Sequence, residues 1–189
     1  MDPLSTLSLA RSEFERRLRQ VEPGDWDRPT PCEGWTVRDL VLHMIGGSRM
    51  MAALVEGCSV EDAIAIVSSE PFPDDAVAVL TEVGDAQARA FAEPGALERI
   101  CHHPAGDFPG AVMLAFSAGD FALHAWDLAR AIGADETLPD DLVAAIWANI
   151  EPLAPTISEL GVFGAGPSDT VSPDAPLQTR LLDATGRRP

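Results

Sequence analysis

The sequence contains no lysine and no tyrosine, and all 13 of its basic residues are arginines. The 30 acidic residues outnumber them and give the 189-residue chain a formal net charge of −17. A surface of that sign repels nucleic-acid phosphates and anionic lipid headgroups. We therefore expect neither nucleic acid nor a membrane surface to be a partner.

Cysteine is also scarce, since only Cys32, Cys58 and Cys101 occur and they are widely spaced. Without a Cys-x-x-Cys pair, the sequence predicts neither a disulfide framework nor a cysteine zinc site. The N-terminus lacks the cationic start and apolar stretch of a signal peptide. No apolar run approaches the roughly 18 residues of a membrane-spanning helix. We therefore expect a cytoplasmic protein with reduced thiols.

Helical periodicity dominates the chain, and convincing strand alternation is absent. The pattern predicts long helices over residues 4–21, 36–57, 74–92 and 107–132, a fifth from residue 139 to about 152, and a short amphipathic piece at 177–182. Four or five helices with intervening loops favour an all-α helix bundle. The connection at 58–73, with one helical turn near 60–67, is long enough to cross over the bundle. The stretch at 96–108 is expected to be irregular, with an extended piece near 97–102.

Several helix starts are marked by capping residues. Thr36 and Asp39 have the spacing of a capping box, and Asp74 is expected to cap the third helix. Asp107 and Pro109 predict the start of the fourth helix, with the proline in its first turn. We expect residues 1–160 to form the bundle and residues 161–189 to form an irregular tail that packs on it.

Two of the four histidines, His43 and His124, lie within predicted helices among apolar neighbours. Asp120 precedes His124 by four residues, so both side chains project from one helix face about 6 Å apart. Such a pair can converge on a metal ion with a histidine from a second helix, and three protein ligands leave positions open for water or substrate. Spacing alone leaves two alternatives open: the pair can form only an intrahelical hydrogen bond, and a histidine on an apolar face can be a core residue.

Other residues near these histidines are weaker candidates. Asp127 could orient a metal ligand or act as a base, although a cap or an ion pair with an arginine is the simpler interpretation. Arg130 could bind an anionic substrate, and Cys32 could approach the site, although a small buried thiol is the simpler expectation. Trp35 is expected in the core or in a pocket wall. His102 and His103 are expected in a solvated loop.

Three segments resemble a known family. They are residues 26–43 (W-D-R-P-T-P-C-E-G-W-T-V-R-D-L-V-L-H), residues 120–133 (D-F-A-L-H-A-W-D-L-A-R-A-I-G), and a tail with F-G-A-G-P at 163–167 and S-P-D-A-P-L-Q-T-R-L-L-D-A-T-G-R at 172–187. In this order they resemble actinobacterial DinB-like proteins and, more narrowly, the metal-binding domain of mycothiol-dependent maleylpyruvate isomerases.

The resemblance implies a DinB-like four-helix bundle in which His43, Asp120 and His124 bind a divalent metal. Many relatives have glutamate where this chain has Asp120, which is shorter by one methylene. Zinc is the first expectation for the metal, with nickel, manganese or iron as alternatives. Mycothiol is a further expected cofactor.

The function implied is a metal-dependent thiol transferase or cis–trans isomerase that acts on an electrophilic small molecule. The alternative is a non-catalytic module that binds a metal or a small ligand, and the shorter Asp120 favours it. The expected partners are a small-molecule thiol, the electrophile and a second copy of the chain in a homodimer.

Overall fold

A computed structural model describes residues 1–68, 71–154, 166–168 and 170–189 of the chain. Its elements, in order, are α1 (Pro3–Leu18), α2 (Val37–Glu56), α3 (Val60–Ser68), α4 (Ala76–Ala92), β1 (Ile100–His103), β2 (Gly106–Pro109), α5 (Gly110–Ile132), α6 (Asp140–Ile150) and α7 (Leu177–Ala184). They divide into two compact units, Asp2–Glu136 and Thr137–Pro189, the latter together with Met1.

Four long helices form the core of the first unit. Both α4 and α5 pack against α1 and α2, so each of the four packs against two of the others. The apolar faces meet in the centre, where the ring of Phe14 on α1 contacts Phe121 on α5 edge-on, with 6.0 Å between the ring centroids. This arrangement confirms the predicted all-α bundle.

The start of α2 was predicted correctly, and two other starts were not. Thr36 Oγ1 accepts a hydrogen bond from Asp39 N at 3.3 Å, and Asp39 Oδ2 accepts one from Thr36 N at 2.9 Å, which confirms the capping box. The cap of α4 is Asp75 rather than Asp74. At α5 the N-cap position is occupied by Pro109, and Asp107 lies in β2 instead.

The two connections are more regular than predicted. The segment after α2 contains α3, which packs on α2. Gly46 permits this contact, because a Cβ at that position would lie 3.0 Å from Val67 Cγ1. The stretch predicted as irregular forms an antiparallel hairpin of β1 and β2, with His102 opposite Asp107. Strands of four residues are too short for alternation to reveal them.

Gly110 fixes the junction between this hairpin and α5. A Cβ there would lie 2.0 Å from the carbonyl oxygen of Ala96, so only glycine lets the two backbones approach. Gly110 N then donates to Arg99 O at 2.8 Å, and Ala111 N donates to Leu97 O at 2.8 Å. The start of α5 is therefore fixed by backbone contacts rather than by a side-chain cap.

The second unit contains α6 and α7, which pack against each other. Arg180 on α7 lies over the ring of Trp147 on α6, 4.8 Å from its centroid. The predicted boundary between residues 160 and 161 lies outside the described residues, and so does most of the motif at 163–167. The packing of the tail on the bundle stays a prediction. Among the described residues, no helix has the length and apolar character needed to cross a membrane.

A fully buried arginine ties α1 to the chain after α5. Arg17 Nη1 donates to Glu13 Oε2 at 2.7 Å, and Arg17 Nε donates to Asp135 O at 3.1 Å. Burial by itself would raise the pKa of the Glu13 carboxyl, but hydrogen bonds from Arg17 and Arg16 outweigh it and lower that pKa below its usual value. Because the side chain of Arg17 is inaccessible to water, its loss would leave buried polar groups without their partner.

We expect Arg17→Met to lower the free energy of unfolding at pH 7 by about 3 kcal/mol. The pKa of Glu13 in the folded protein lies below its ordinary value of 4.5. The ion pair of Arg17 and Glu13 therefore stabilises the folded protein fully above pH 4.5, and this stabilisation is lost as the pH falls through the lowered pKa. The cost of the substitution should therefore shrink on acidification. Urea denaturation at several pH values measures it, and the half-exposed Arg16→Met is the matched control, with an expected cost below about 1 kcal/mol. If both variants lose the same unfolding free energy at pH 7, the stabilising role of the buried Arg17 is contradicted.

Candidate metal centre

Three polar side chains share one face of α5, whose other residues are mostly apolar. Asp120, His124 and Asp127 follow each other at spacings of four and three residues, so they lie along one stripe of the helix. His124 and Asp127 are buried, whereas 41% of the Asp120 side chain is exposed. The buried end of this stripe therefore lies inside the bundle, and its other end reaches solvent.

His43 reaches this stripe from α2, which packs against α5. Its Nε2 lies 3.1 Å from Asp120 Oδ2, while His124 Nε2 lies 3.3 Å from Asp120 Oδ1. The two imidazole centroids are 5.1 Å apart, with the rings edge to face. The structure thus brings together all three residues that the sequence proposed as metal ligands.

The loop before α2 forms one wall of this cluster. Thr30 N donates to Trp35 O, Val37 N to Arg28 O and Arg38 N to Trp26 O, each at 2.9 to 3.0 Å. These bonds hold the Trp35 ring 4.9 Å from the His43 ring and 6.0 Å from the His124 ring, centroid to centroid. Trp35 is therefore a wall of the site, one of the two positions expected for it.

The other ring nitrogen of His124 faces a second set of partners. Its Nδ1 lies 2.8 Å from Asp127 Oδ2, and the Cys32 thiol donates to the same carboxylate oxygen at 3.4 Å. Cys32 Sγ is also 3.8 Å from His124 Nδ1. Asp127 is thus in position to orient His124, beyond the simpler interpretation as a cap or an arginine partner. The half-buried Cys32 is a neighbour of the imidazole and not only a packing residue.

The pKa values of Asp120 and His124 are shifted in opposite directions by their contact. Desolvation by the surrounding protein favours neutral forms, but the charge of His124 and the hydrogen bonds from His124 and His43 outweigh it and hold the pKa of Asp120 far below its usual range. For His124, burial alone would lower the pKa, yet the charge of Asp120 and hydrogen bonds to Asp120, Asp127 and Cys32 raise it well above its usual value. The cluster therefore has a strong affinity for positive charge.

Two groups of three donor residues meet at His124. One consists of His43, Asp120 and His124, and the other of Cys32, His124 and Asp127. Within each group, one donor atom per residue lies within 4.8 Å of the others, close enough to share an ion. Sequence reasoning identified the first group. It named Cys32 and Asp127 as residues that could approach or support the site, but it did not group them with His124 as ligands, because Cys32 comes from a loop whose path no helical spacing reveals.

The remaining candidates lie elsewhere in the bundle unit. The Arg130 guanidinium binds Glu136 at 2.7 and 3.0 Å and lies over the ring of Trp126, 4.2 Å from its centroid, and its role toward a substrate stays a prediction. His102 and His103 lie on β1 instead of in a loop, and His102 Nδ1 pairs with Asp107 Oδ1 across the hairpin at 2.7 Å.

An open depression adjoins the cluster on the side of α3. Its cavity volume is about 480 Å³, and it is lined by Gly34, Trp35, Asp39, Leu42, His43 and Val67. Leu42 and Val67 were not singled out in the sequence, since one is an ordinary apolar helix residue and the other belongs to a segment predicted as a connection. His43 is the residue common to the depression and the cluster.

Comparisons with known proteins support the fold. A sequence model of the mycothiol maleylpyruvate isomerase N-terminal domain matches residues 7–129, which include His43, Asp120 and His124. A crystal structure of a mycothiol-dependent maleylpyruvate isomerase is similar at 20% identity and a TM-score of 0.63, covering 78% of this chain and 68% of that one. A histidine-to-alanine mutant of that type of enzyme matches at 19% identity with the same TM-score and coverage.

Similar sequences occur in Mycobacterium tuberculosis. Uncharacterized proteins of strains CDC 1551 and H37Rv are each 29% identical over 176 residues, which cover 93% of this chain and 89% of theirs. The similarity to them extends over both units of the structure, whereas the family match ends at residue 129 within α5.

The effect of the Asp120 charge on the pKa of His124 can be measured directly. In protein treated with a chelator, we expect Asp120→Asn to lower the pKa of His124, because the charge that opposes desolvation is removed. A titration of the imidazole resonances by NMR checks this shift. His102, which is exposed on the hairpin, is an internal reference that should keep its titration curve. An unchanged His124 pKa in the variant would contradict the ion pair.

Proposed function

Because the chain belongs to the mycothiol maleylpyruvate isomerase N-terminal domain family, we propose that it is a metal-dependent enzyme that uses a low-molecular-weight thiol. The thiol is mycothiol, and its sulfur bonds to an electrophilic carbon of a small molecule. In S-transfer the bond persists and the thiol proton passes to the product or the leaving group. In cis–trans isomerisation the bond breaks again after rotation, and the thiol is regenerated.

The observation that carries this proposal is the convergence of His43, Asp120 and His124. The donor atoms are two imidazole nitrogens from separate helices and one carboxylate oxygen, all within 4.8 Å of one another. This set fits zinc or another first-row divalent ion, and three protein ligands leave open positions, as in catalytic sites. A divalent cation held there supplies the positive charge that favours the thiolate form of a bound thiol.

The chain's own residues prepare the ligands. Asp127 accepts a hydrogen bond from His124 Nδ1, which leaves Nε2 as the nitrogen that faces Asp120 and His43. Carboxylates that orient metal-binding histidines in this way fix the tautomer and raise the basicity of the ring. Trp35 covers the two imidazoles on one side and excludes water there.

Exposure favours this group of donors over the group that contains Cys32. His43 is 38% exposed and Asp120 41% exposed, so a thiol and a second substrate could reach an ion bound between them. In the other group Asp127 is completely buried and His124 nearly so. The residues on the Cys32 side of His124 therefore hold its ring in place, and the His43 side is open to substrate.

We expect purified protein to contain about one equivalent of zinc or another divalent metal, and His43→Ala to reduce it to less than about a tenth. Elemental analysis by mass spectrometry measures the content and identifies the metal. Cys32→Ala should keep the metal, since its thiol belongs to the other group. His102→Ala, which removes an exposed histidine, is the matched control.

Circular dichroism of each variant shows whether the helices are intact, so that a loss of metal is not mistaken for unfolding. Full metal content in His43→Ala would overturn the proposed site. Loss of metal in Cys32→Ala with retention in His43→Ala would place the ion in the other group.

We also expect mycothiol-dependent turnover of an electrophile such as monobromobimane, which Asp120→Ala should reduce by at least about 100-fold. The conjugation rate is followed by fluorescence against the uncatalysed reaction. His102→Ala should keep the wild-type rate. If metal-loaded protein gives no rate above background with mycothiol, the chain is a non-catalytic binding module.

A further inference from the structure

We propose that the depression beside His43 binds the uncharged, apolar part of the electrophilic substrate, so that this chain prefers neutral electrophiles over carboxylates. The inference rests on the proposed function, because it names the substrate class of the same site. Its basis is the side-chain chemistry of the depression and the charge distribution around it.

The walls of the depression are mainly apolar. Trp35, Leu42 and Val67 line it, and His43 connects it to the cluster of donors. The backbone of α2 also comes close to α3 here, because Gly46 has no Cβ to push Val67 away. The volume of the depression, about 480 Å³, is within the range of small-molecule sites, and the depression is open to solvent.

Neither arginine nor lysine is among the six described residues that line the depression. The one carboxylate in that lining belongs to Asp39, and hydrogen bonds from Thr36 hold its pKa below the usual value. Its carboxylate oxygen is bound to Thr36, which keeps it fixed at the first turn of α2. A carboxylate in the depression would therefore meet a negative side chain and no arginine or lysine of the lining.

The nearby arginine on α2 is directed to other groups. Arg38 follows the loop, and its guanidinium lies over the ring of Phe72, 4.4 Å from the centroid. It also lies 6.0 Å from the centroid of Trp26 and 3.8 Å from Asp27 Oδ1. Arg38 thus contributes to the outer surface of the loop and is not a lining residue.

A divalent cation bound to the cluster would lie among several carboxylates. Its two positive charges are opposed by the carboxylates of Asp39, Asp120 and Asp127, which lie in the cluster or the adjoining depression. The whole chain adds a formal charge of −17. A dicarboxylate such as maleylpyruvate would place further negative charge against this surface, whereas a neutral ester or ketone would not.

The test uses two matched pairs of ligands. Dimethyl succinate and succinate differ in charge and have no double bond to accept a thiol, so their binding to metal-loaded protein can be measured by saturation-transfer NMR without turnover. Dimethyl maleate and maleate are the reactive counterparts, assayed with mycothiol relative to the uncatalysed rates. We expect the diester of each pair to be preferred by at least about 10-fold.

Two arginine substitutions on α3 test whether the lining of the depression causes the preference for neutral ligands. Val67 lines the depression and is 40% exposed, while Ile64 is 46% exposed and does not line it. Val67→Arg should strengthen succinate binding and weaken dimethyl succinate binding, each by about 10-fold. Ile64→Arg carries the same charge on the same helix and should leave both affinities within about twofold.

Equal or tighter binding of succinate by the wild-type protein overturns the inference, and so does an equal response to the two arginine variants. Absence of binding by both succinate ligands also overturns it. If dimethyl succinate binds more tightly than succinate but neither maleate compound reacts with mycothiol, the inference is supported and the proposed thiol reaction is overturned. A failure of the inference can therefore be distinguished from a failure of the proposed function.

Discussion

The candidate site depends on one shared carboxylate. Asp120 lies between two imidazoles that come from different helices, with each of its oxygens facing one ring nitrogen at 3.1 or 3.3 Å. The sharing is possible because α2 and α5 are direct neighbours in the bundle. The same side chain therefore links the packing of two helices to the chemistry of the cluster, and its charge helps to raise the pKa of His124 against the effect of burial.

The helical parts of both fold and site could be predicted from the sequence, because helical spacing is local information. The capping box of Thr36 and Asp39 predicted where α2 begins. The four-residue spacing of Asp120 and His124 placed both residues on one face of α5. Spacing could not give the axial alignment of α2 against α5, which decides whether His43 reaches Asp120. The motif resemblance supplied that expectation, and the structure brings the three side chains together.

Non-local contacts account for what the sequence did not predict. The hairpin of β1 and β2 depends on the close approach of Gly110 to Ala96, which leaves no pattern in the sequence of the strands. Cys32 reaches Asp127 only because the loop folds back on itself through backbone hydrogen bonds. The metal, the thiol cofactor and the homodimer stay predictions, since the family and the fold are what the comparisons establish.

The loop before α2 has a consequence for ligand affinity. Its backbone bonds from Thr30 to Trp35 and from Val37 to Arg28 hold the indole against the imidazoles. A ligand that contacts this ring meets a surface that is already in its final shape, so little conformational entropy is lost on association. Selection by this wall should accordingly depend on the shape and polarity of the ligand and little on any rearrangement of the loop.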